Sequence, residues 1–582
     1  MFSLWQKISC NIVWLLVAMI FSSAETGLAQ EKPKPRPTPT KVRDDSTETT
    51  RAKKRESEES QSDKLELPDV LIYGEETSSR LPGAKQSPKP DPISLQRLQE
   101  KRALDDSAAI ELNPKEGVSA PRHQQRQLLG VRTHAGQFGQ LGLGLGFWKT
   151  SKQSEATVDA EYFRREGEFD NSQIRRFDLD GQLGATLAKN LAGRGQLHIQ
   201  SNDYGLYGAS LDNYERDSDY FQLLAGGRVN AGSATDLSFE ASFLSGDADD
   251  QAQIDSARFL RAKAEWRTFS MGVSAEHRFS KLETRVRFAY VNDDIRPSHG
   301  FRDKPSFTLL QVELSFPIRE RANLALGLTH TSAKSDSAAD GSRLAPFVKV
   351  VWVPANSFAL SGEFSGGWNY APFHERLREN PYLDLLNLFG PEERLWQIKL
   401  TGEYRITQQW VLKLNYLRER LNHLSYWERS DSTGLFVLNR LSGVTLSDLN
   451  LGMEFTPAAN LTFVAAVHLL NDQLDDNNPN IAGVFELPYR SEFWMPVTVT
   501  YQPIPKVTIT GEGRWVGSRR VRLSSTDKIG SYLDLGAQAE WQAHRIFSVF
   551  GGVRNLLDED YEIWRGYPEI GFNVIAGMKA NW

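Results

Sequence analysis

The sequence predicts an all-β chain, a transmembrane antiparallel β-barrel of about 22 strands behind a disordered N-terminal tether. Three observations predict it. From residue 126 onward, apolar and polar residues alternate in segments of roughly ten. The connections between those segments alternate between short and long. The sequence closes on GFNVIAGMKANW, where Phe572, Val574, Ala576, Met578, Ala580 and Trp582 take every second place. The last strand of a soluble sheet also has a period of two, so that closing segment decides nothing alone.

Composition narrows the classes. The chain has 582 residues and a net charge of −6, without the clustered basic excess of a nucleic-acid surface. Its one cysteine, Cys10, excludes a disulfide framework. Residues 1–29 have the layout of a secretory signal peptide. Lys7 precedes the short apolar run NIVWLLVAMIF, and Ala24 and Ala29 offer cleavage points. The run is too short to span a bilayer comfortably.

Residues 30–66 are rich in proline, charge and hydroxyls, a composition that cannot bury enough apolar surface to order itself. An apolar island follows, Leu67, Pro68, Asp69, Val70, Leu71, Ile72, Tyr73 and Gly74. Residues 75–125 return to linker composition, with one short amphipathic helix at 93–105 carried by Ile93, Leu95, Leu98 and Leu104.

The barrel is assigned to residues 126–582. Leu141, Leu143, Leu145 and Phe147 share one face of its second segment. In LWQIKLTGEYRI, Trp396, Ile398, Leu400, Tyr404 and Ile406 oppose Gln397, Lys399, Thr401, Glu403 and Arg405. DLNLGMEF, KVTITGEGRW and YLDLGAQAEW repeat the pattern. Short connections are expected near 279–282, 354–357, 457–460, 502–505 and 542–545. Long ones are expected near 204–216, 247–255, 294–305, 371–392, 472–490, 517–530 and 557–570. Short turns at one end and long loops at the other is how outer-membrane barrels are built. The even count places both barrel ends in the periplasm. It requires 256–279 to be one strand whose facing slips near Thr268. Trp148, Trp352, Trp368, Trp396, Trp410, Trp494, Trp515, Trp541 and Trp582 lie near segment ends, where an amphipathic ring sits at headgroup level.

The last seventy residues resemble the C-terminal end of TonB-dependent receptors. Trp515-Val516-Gly517, Asn555-Leu556-Leu557-Asp558, Tyr561, Gly566-Tyr567-Pro568 and the final strand follow the family order. The closing strand also resembles the outer-membrane assembly signal, carried by Phe572, Val574, Met578 and Trp582. Leu67–Gly74 resembles a TonB box, and an extended apolar heptad on a solvated tether suits strand addition to a partner. The resemblance implies an outer-membrane receptor energised by a TonB-type periplasmic transducer, and assembled by the barrel assembly machinery among outer-membrane lipids. The family's globular plug has no counterpart in residues 75–125. That departure leaves room for a separate plug protein or a surface lipoprotein as partner.

Catalytic and metal patterns are missing. No histidine pair has ligand spacing, and there is no nucleophile elbow, phosphate loop or dinucleotide fingerprint. No cofactor is implied. His330 with Ser332 and Asp336 reads as loop polarity. Asp247, Asp249, Asp250 and Asp255 form either a solvated acidic loop or a hard-cation loop lacking the EF-hand glycine and glutamate. Arg519, Arg520 and Arg522 are the candidate loop contacts for an anionic ligand. The inward residues Asp178, Asp180, Lys399, Glu403, Arg405, Glu512, Arg514 and Glu540 suit a wet lumen. Residues 75–125 and infolded loops, led by 371–392 with its apolar YLDLLNLF, are expected to occlude it. The leading reading is a receptor-like barrel that binds or takes up a substrate. The alternatives are a passive channel or structural barrel, and a secreted soluble β-protein.

Overall fold

The computed structural model describes residues 126–582, apart from 152, 210–213, 256–257, 299–301, 337–338, 388–389 and 475–484. The signal peptide, the tether, the 67–74 motif, the 75–125 linker and its helix lie outside the described residues.

Twenty-two strands form one closed antiparallel sheet. They are β1 (Arg126–Gly136), β2 (Leu141–Thr150), β3 (Ser154–Arg165), β4 (Ile174–Ala188), β5 (Leu191–Gly205), β6 (Glu215–Asn230), β7 (Thr235–Asp255) and β8 (Arg258–Phe279). Next come β9 (Leu282–Pro297), β10 (Ser306–Arg319), β11 (Ala322–Lys334), β12 (Gly341–Ala355), β13 (Phe358–Asn369), β14 (Glu392–Arg405) and β15 (Trp410–Asn422). The last are β16 (Val444–Ala458), β17 (Leu461–Leu474), β18 (Phe493–Ile504), β19 (Val507–Val516), β20 (Tyr532–His544), β21 (Phe547–Arg554) and β22 (Asn573–Asn581). Each strand pairs with its sequence neighbour, and β22 closes on β1 from Gly130↔Asn581 to Gly136↔Ile575. The Leu129 N–H donates to the Trp582 carbonyl at 2.9 Å, and the Trp582 N–H returns the bond at 3.0 Å. Closure leaves no unpaired edge, which lipid would not tolerate.

The expected parity holds. Turns at one end are tight, as at 189–190, 280–281, 356–357, 459–460, 505–506 and 545–546. The long connections gather at the other end and carry the one helix described, α1 (Phe373–Glu379), and three short hairpins.

The alternation in β2 shows how the wall is made. Leu141, Leu143 and Leu145 point outward, each nearly half exposed. The intervening Gly142 and Gly146 face inward, where the His134 and Trp148 rings lie so close that a Cβ would overlap them. The outward apolar residues of β8, Phe269 to Phe279, span roughly 24 Å once a strand tilt near 45° is allowed for, the height of a lipid-facing band. Trp352, Tyr404, Tyr501, Trp541 and Trp582 are exposed at the short-turn end of that band. With closure, this makes the chain a transmembrane barrel of the outer-membrane type.

Three expectations are corrected. The 247–255 stretch is not a loop. It belongs to β7, which pairs with β8 almost to its tip. The facing does not slip at Thr268, because register runs unbroken through Leu244↔Thr268 and Thr268↔Asp293. What changes there is the surroundings. Past Phe243 and Phe269 the outward residues become Ser245, Asp247, Asp249, Arg267, Glu265 and Lys263, while the inward ones become Leu244, Ala248, Ala264 and Trp266. The strands have left lipid for water outside and gained a loop-packed interior inside, so polarity inverts without any change of facing. Finally, Trp148, Trp368 and Trp494 turn inward. Trp368 is buried and stacks on His423, and Trp494 stacks on His468 at 3.5 Å between ring centroids.

Candidate functional site

The candidate site is the long-loop end, where the connections fold over the lumen instead of standing away from it. At its centre is the 370–391 connection. Phe373, Leu383 and Leu385 are fully buried and Leu377 nearly so. They pack with Leu244 and Ala248 of β7, Ala264 and Trp266 of β8, Ile295 of β9, and Trp427, Phe436 and Leu438 of a loop hairpin. The infolding expected from YLDLLNLF is therefore present.

Polar side chains on the wall fix both halves of this connection. Asp293 of β9 is fully buried and accepts the Tyr370 hydroxyl at 2.6 Å and the Phe373 N–H at 3.0 Å. Burial first, and then the Asp293 carboxylate, holds the Tyr370 phenol well above its usual pKa, so it stays a donor. Arg216 of β6 is fully buried against Asp250 of β7. Its guanidinium also donates to the Pro381 carbonyl at 2.6 Å and the Leu383 carbonyl at 2.7 Å. The Tyr204 hydroxyl donates to Pro381 as well, at 2.9 Å.

Other loops complete the cover. Phe436 exchanges backbone bonds with Tyr382 and Asp384. The Trp427 indole donates to Glu379 at 2.9 Å. Tyr382 stacks on Tyr567 at 3.6 Å, and Tyr567 meets Tyr207 and Phe436 edgewise or tilted. Asn555 and Asp558 shape the last loop. Both have positive φ; Asn555 bonds Glu559 and Ile570, and Asp558 accepts the Phe572 N–H. Gly566 sits at φ +84° with a cradle so close to Arg429 that a side chain would crowd it.

The inner wall below is polar and largely self-paired. Arg176 pairs with Asp178, Arg405 with Glu403 at 3.3 Å, and Lys579 with Glu540 at 2.7 Å. Asp180, His198 and Tyr220 form a hydrogen-bonded chain across β4, β5 and β6, at 2.5 Å and 2.8 Å. Lys399, Glu512 and Arg514 lie on the same inner face, and Arg514 donates to the Tyr532 hydroxyl at 3.2 Å. Glu283, Arg285, Glu313, Ser315, Asn323 and Lys349 line a polar recess near the short-turn end.

The loop arginines are engaged with other loops. Arg519 and Arg520 are buried, at 5% and 2% exposure. Arg519 donates to the Glu562 and Ile563 carbonyls at 2.6 and 3.1 Å. Arg522 pairs with Asp431 of another loop. Arg519 and Arg522 brace loop against loop. The acidic run is also committed. Asp247 pairs with Lys263, Asp249 with Arg261 and Asp250 with Arg216. Among the described residues no carboxylate or histidine group is arranged for a metal. His330 lies exposed on the outer wall beside Leu344, and the Asp336 N–H donates to Asp303. Along the closing strand, Val574, Met578 and Trp582 are exposed outward and Lys579 points in.

Arg216 and Asp293 escaped the sequence reading. Asp293 was signalled only by a charge between the inward Val291 and Ile295, and Arg216 sits in the polar strand start Glu-Arg-Asp-Ser-Asp, where nothing singles it out.

No protein-family model and no curated protein matches the chain. Solved structures do. The copper transporter OprC superposes with a TM-score of 0.63 at 12% identity, over 79% of this chain and 81% of its own. The siderophore receptor PiuA from Acinetobacter baumannii gives 0.61 at 12%, over 79% and 82%. The FrpB iron transporter from Neisseria meningitidis gives 0.63 at 10%, over 79% and 82%. These are TonB-dependent receptors, and their fold is the fold of this chain.

Proposed function

We propose that this protein is an outer-membrane receptor of the TonB-dependent kind that takes up a small water-soluble cargo, with no catalytic step. The observation that carries the reading is a closed 22-strand barrel whose long loops pack inward at its mouth, above a charged, self-paired lumen. A structural barrel has no need of such a cover. The similar structures are described as handling copper, iron or siderophores, so a metal ion or its chelate is the cargo class favoured here. Both chain ends and the tight turns face the periplasm in this reading, and the long loops face outside.

Energy enters through Leu67–Gly74, which adds as a strand to the transducer. Residues 75–125 occupy part of the lumen, since irregular chain is tolerated at membrane depth away from lipid. Trp582 and the apolar face of β22 are the signal read by the assembly machinery. A peptide spanning residues 64–78 is expected to bind the periplasmic domain of the host's TonB in calorimetry. Val70→Pro weakens it, because proline removes an N–H from the added strand. Absence of heat for the unmodified peptide would remove energised uptake.

A further inference from the structure

We propose that residues Asn380–Leu386 form a latched lid, with α1 as its fixed side and Arg216 as its latch. The inference concerns the closed mouth described above and holds whether or not uptake is energised.

The two halves of the connection are held differently. The α1 half is tied to the wall and to the base of the next strand. Tyr370 and Phe373 bond Asp293, and Arg376 bonds Glu392 at 3.2 Å. Breaking those contacts takes two donors from the buried Asp293 carboxyl, a costly event. The Asn380–Leu386 half has no such tie. Arg216 gives it two bonds, but both go to neutral carbonyls. When the segment lifts, Arg216 keeps its bidentate partner Asp250, and water replaces the carbonyls. No charge is orphaned in either state, so the latch is reversible.

The remaining contacts of the segment are the buried Leu383 and Leu385, the stack of Tyr382 on Tyr567 and one backbone bridge. Its backbone meets the neighbouring hairpin through a single parallel bridge, Leu383↔Phe436. The barrel wall beneath is a continuous ladder that does not depend on the segment. What holds the segment is the burial of Leu383 and Leu385 and bonds to neutral groups, none of which leaves a charge unpaired when it opens.

The test uses the full chain, purified and folded in detergent micelles, in a Cys10→Ser background, with folding checked by heat-modifiable mobility. Three single-cysteine reporters are labelled with a polar maleimide: Leu385→Cys in the segment, Phe373→Cys in α1, and Leu386→Cys as the exposed control. Each is combined with Arg216→Met/Asp250→Leu, which removes the latch without leaving a lone charge. The expected result is labelling of Leu385→Cys at least ten times faster in the latchless background. Phe373→Cys stays protected and Leu386→Cys labels equally in both. Tyr204→Phe, which removes one donor to Pro381 and leaves the ion pair, gives a smaller rise in the same reporter and serves if the double variant does not fold. An unchanged Leu385→Cys rate in a folded variant overturns the latch. A parallel rise at Phe373→Cys overturns the lid, because the whole mouth then loosens together.

Discussion

The same strands run through two solvents, and the two halves of the barrel obey opposite rules. In the half toward the tight turns, β7 and β8 point Leu237, Phe239, Phe243, Phe269 and Val273 outward and Glu240, Ser242, Ser270 and Ser274 inward. In the half toward the long loops they point Asp247, Asp249, Lys263 and Glu265 outward and Leu244, Ala248, Ala264 and Trp266 inward. Hydrogen-bond register is continuous across the border. Polarity follows the neighbour, lipid below and water above, while pleat and pairing stay constant. The upper half is thereby a second hydrophobic core, built between wall and loops.

The largest expected effect breaks that core. Trp266→Ala should cost the mouth about 3–5 kcal/mol of packing, as large-to-small core changes do. Limited proteolysis should then cut within 370–391 while the barrel keeps its heat-modifiable mobility. Phe269→Ala, three residues on and facing lipid, should leave the loops protected.

The next effect probes the outer face. Val273→Arg should cost roughly 2–4 kcal/mol at the level of the lipid and reduce assembled barrel. Glu265→Arg, on the same face of the same strand but above the border, should change assembly by less than about 0.5 kcal/mol. Equal losses in both would erase the distinction between the halves.

A smaller effect is expected at the membrane edge. Trp582→Lys should slow assembly, with an equilibrium cost of only about 0–1 kcal/mol near the interface. Lys579→Met, which also unpairs Glu540 inside, tests whether assembly reads the outer face or the lumen. The smallest belongs to the half-exposed Arg522–Asp431 pair. Arg522→Ala should cost less than about 1 kcal/mol, and less still in high salt.

Much of this was legible in the sequence, and the misses share a cause. Strand number and turn parity could be read because alternation and tight turns are local. The infolding of 371–392 was signalled by YLDLLNLF, too apolar for a solvated loop. The region after Phe243 was misread because apolar was equated with lipid. Once polarity inverts, β7 looks like an acidic loop and β8 looks like a slipped strand. Arg519 and Arg520 looked available because a loop arginine is usually exposed. The acceptors of Arg519 lie more than forty residues away, and no local pattern announces them. The bonds from Arg216 to Pro381 and Leu383 cross a still longer separation and exist only through the closed topology.

Depth-dependent quenching along β8 tests the border most directly. Cysteines placed singly at Lys263, Glu265, Trp266, Phe269 and Val273 would carry a small fluorophore, with the protein reconstituted in bilayers containing chain-brominated lipid. Strong quenching at Phe269→Cys and Val273→Cys, with none at Lys263→Cys, Glu265→Cys or Trp266→Cys, is the predicted result. Quenching at Lys263→Cys or Trp266→Cys would put lipid where the closed mouth is drawn and contradict the account.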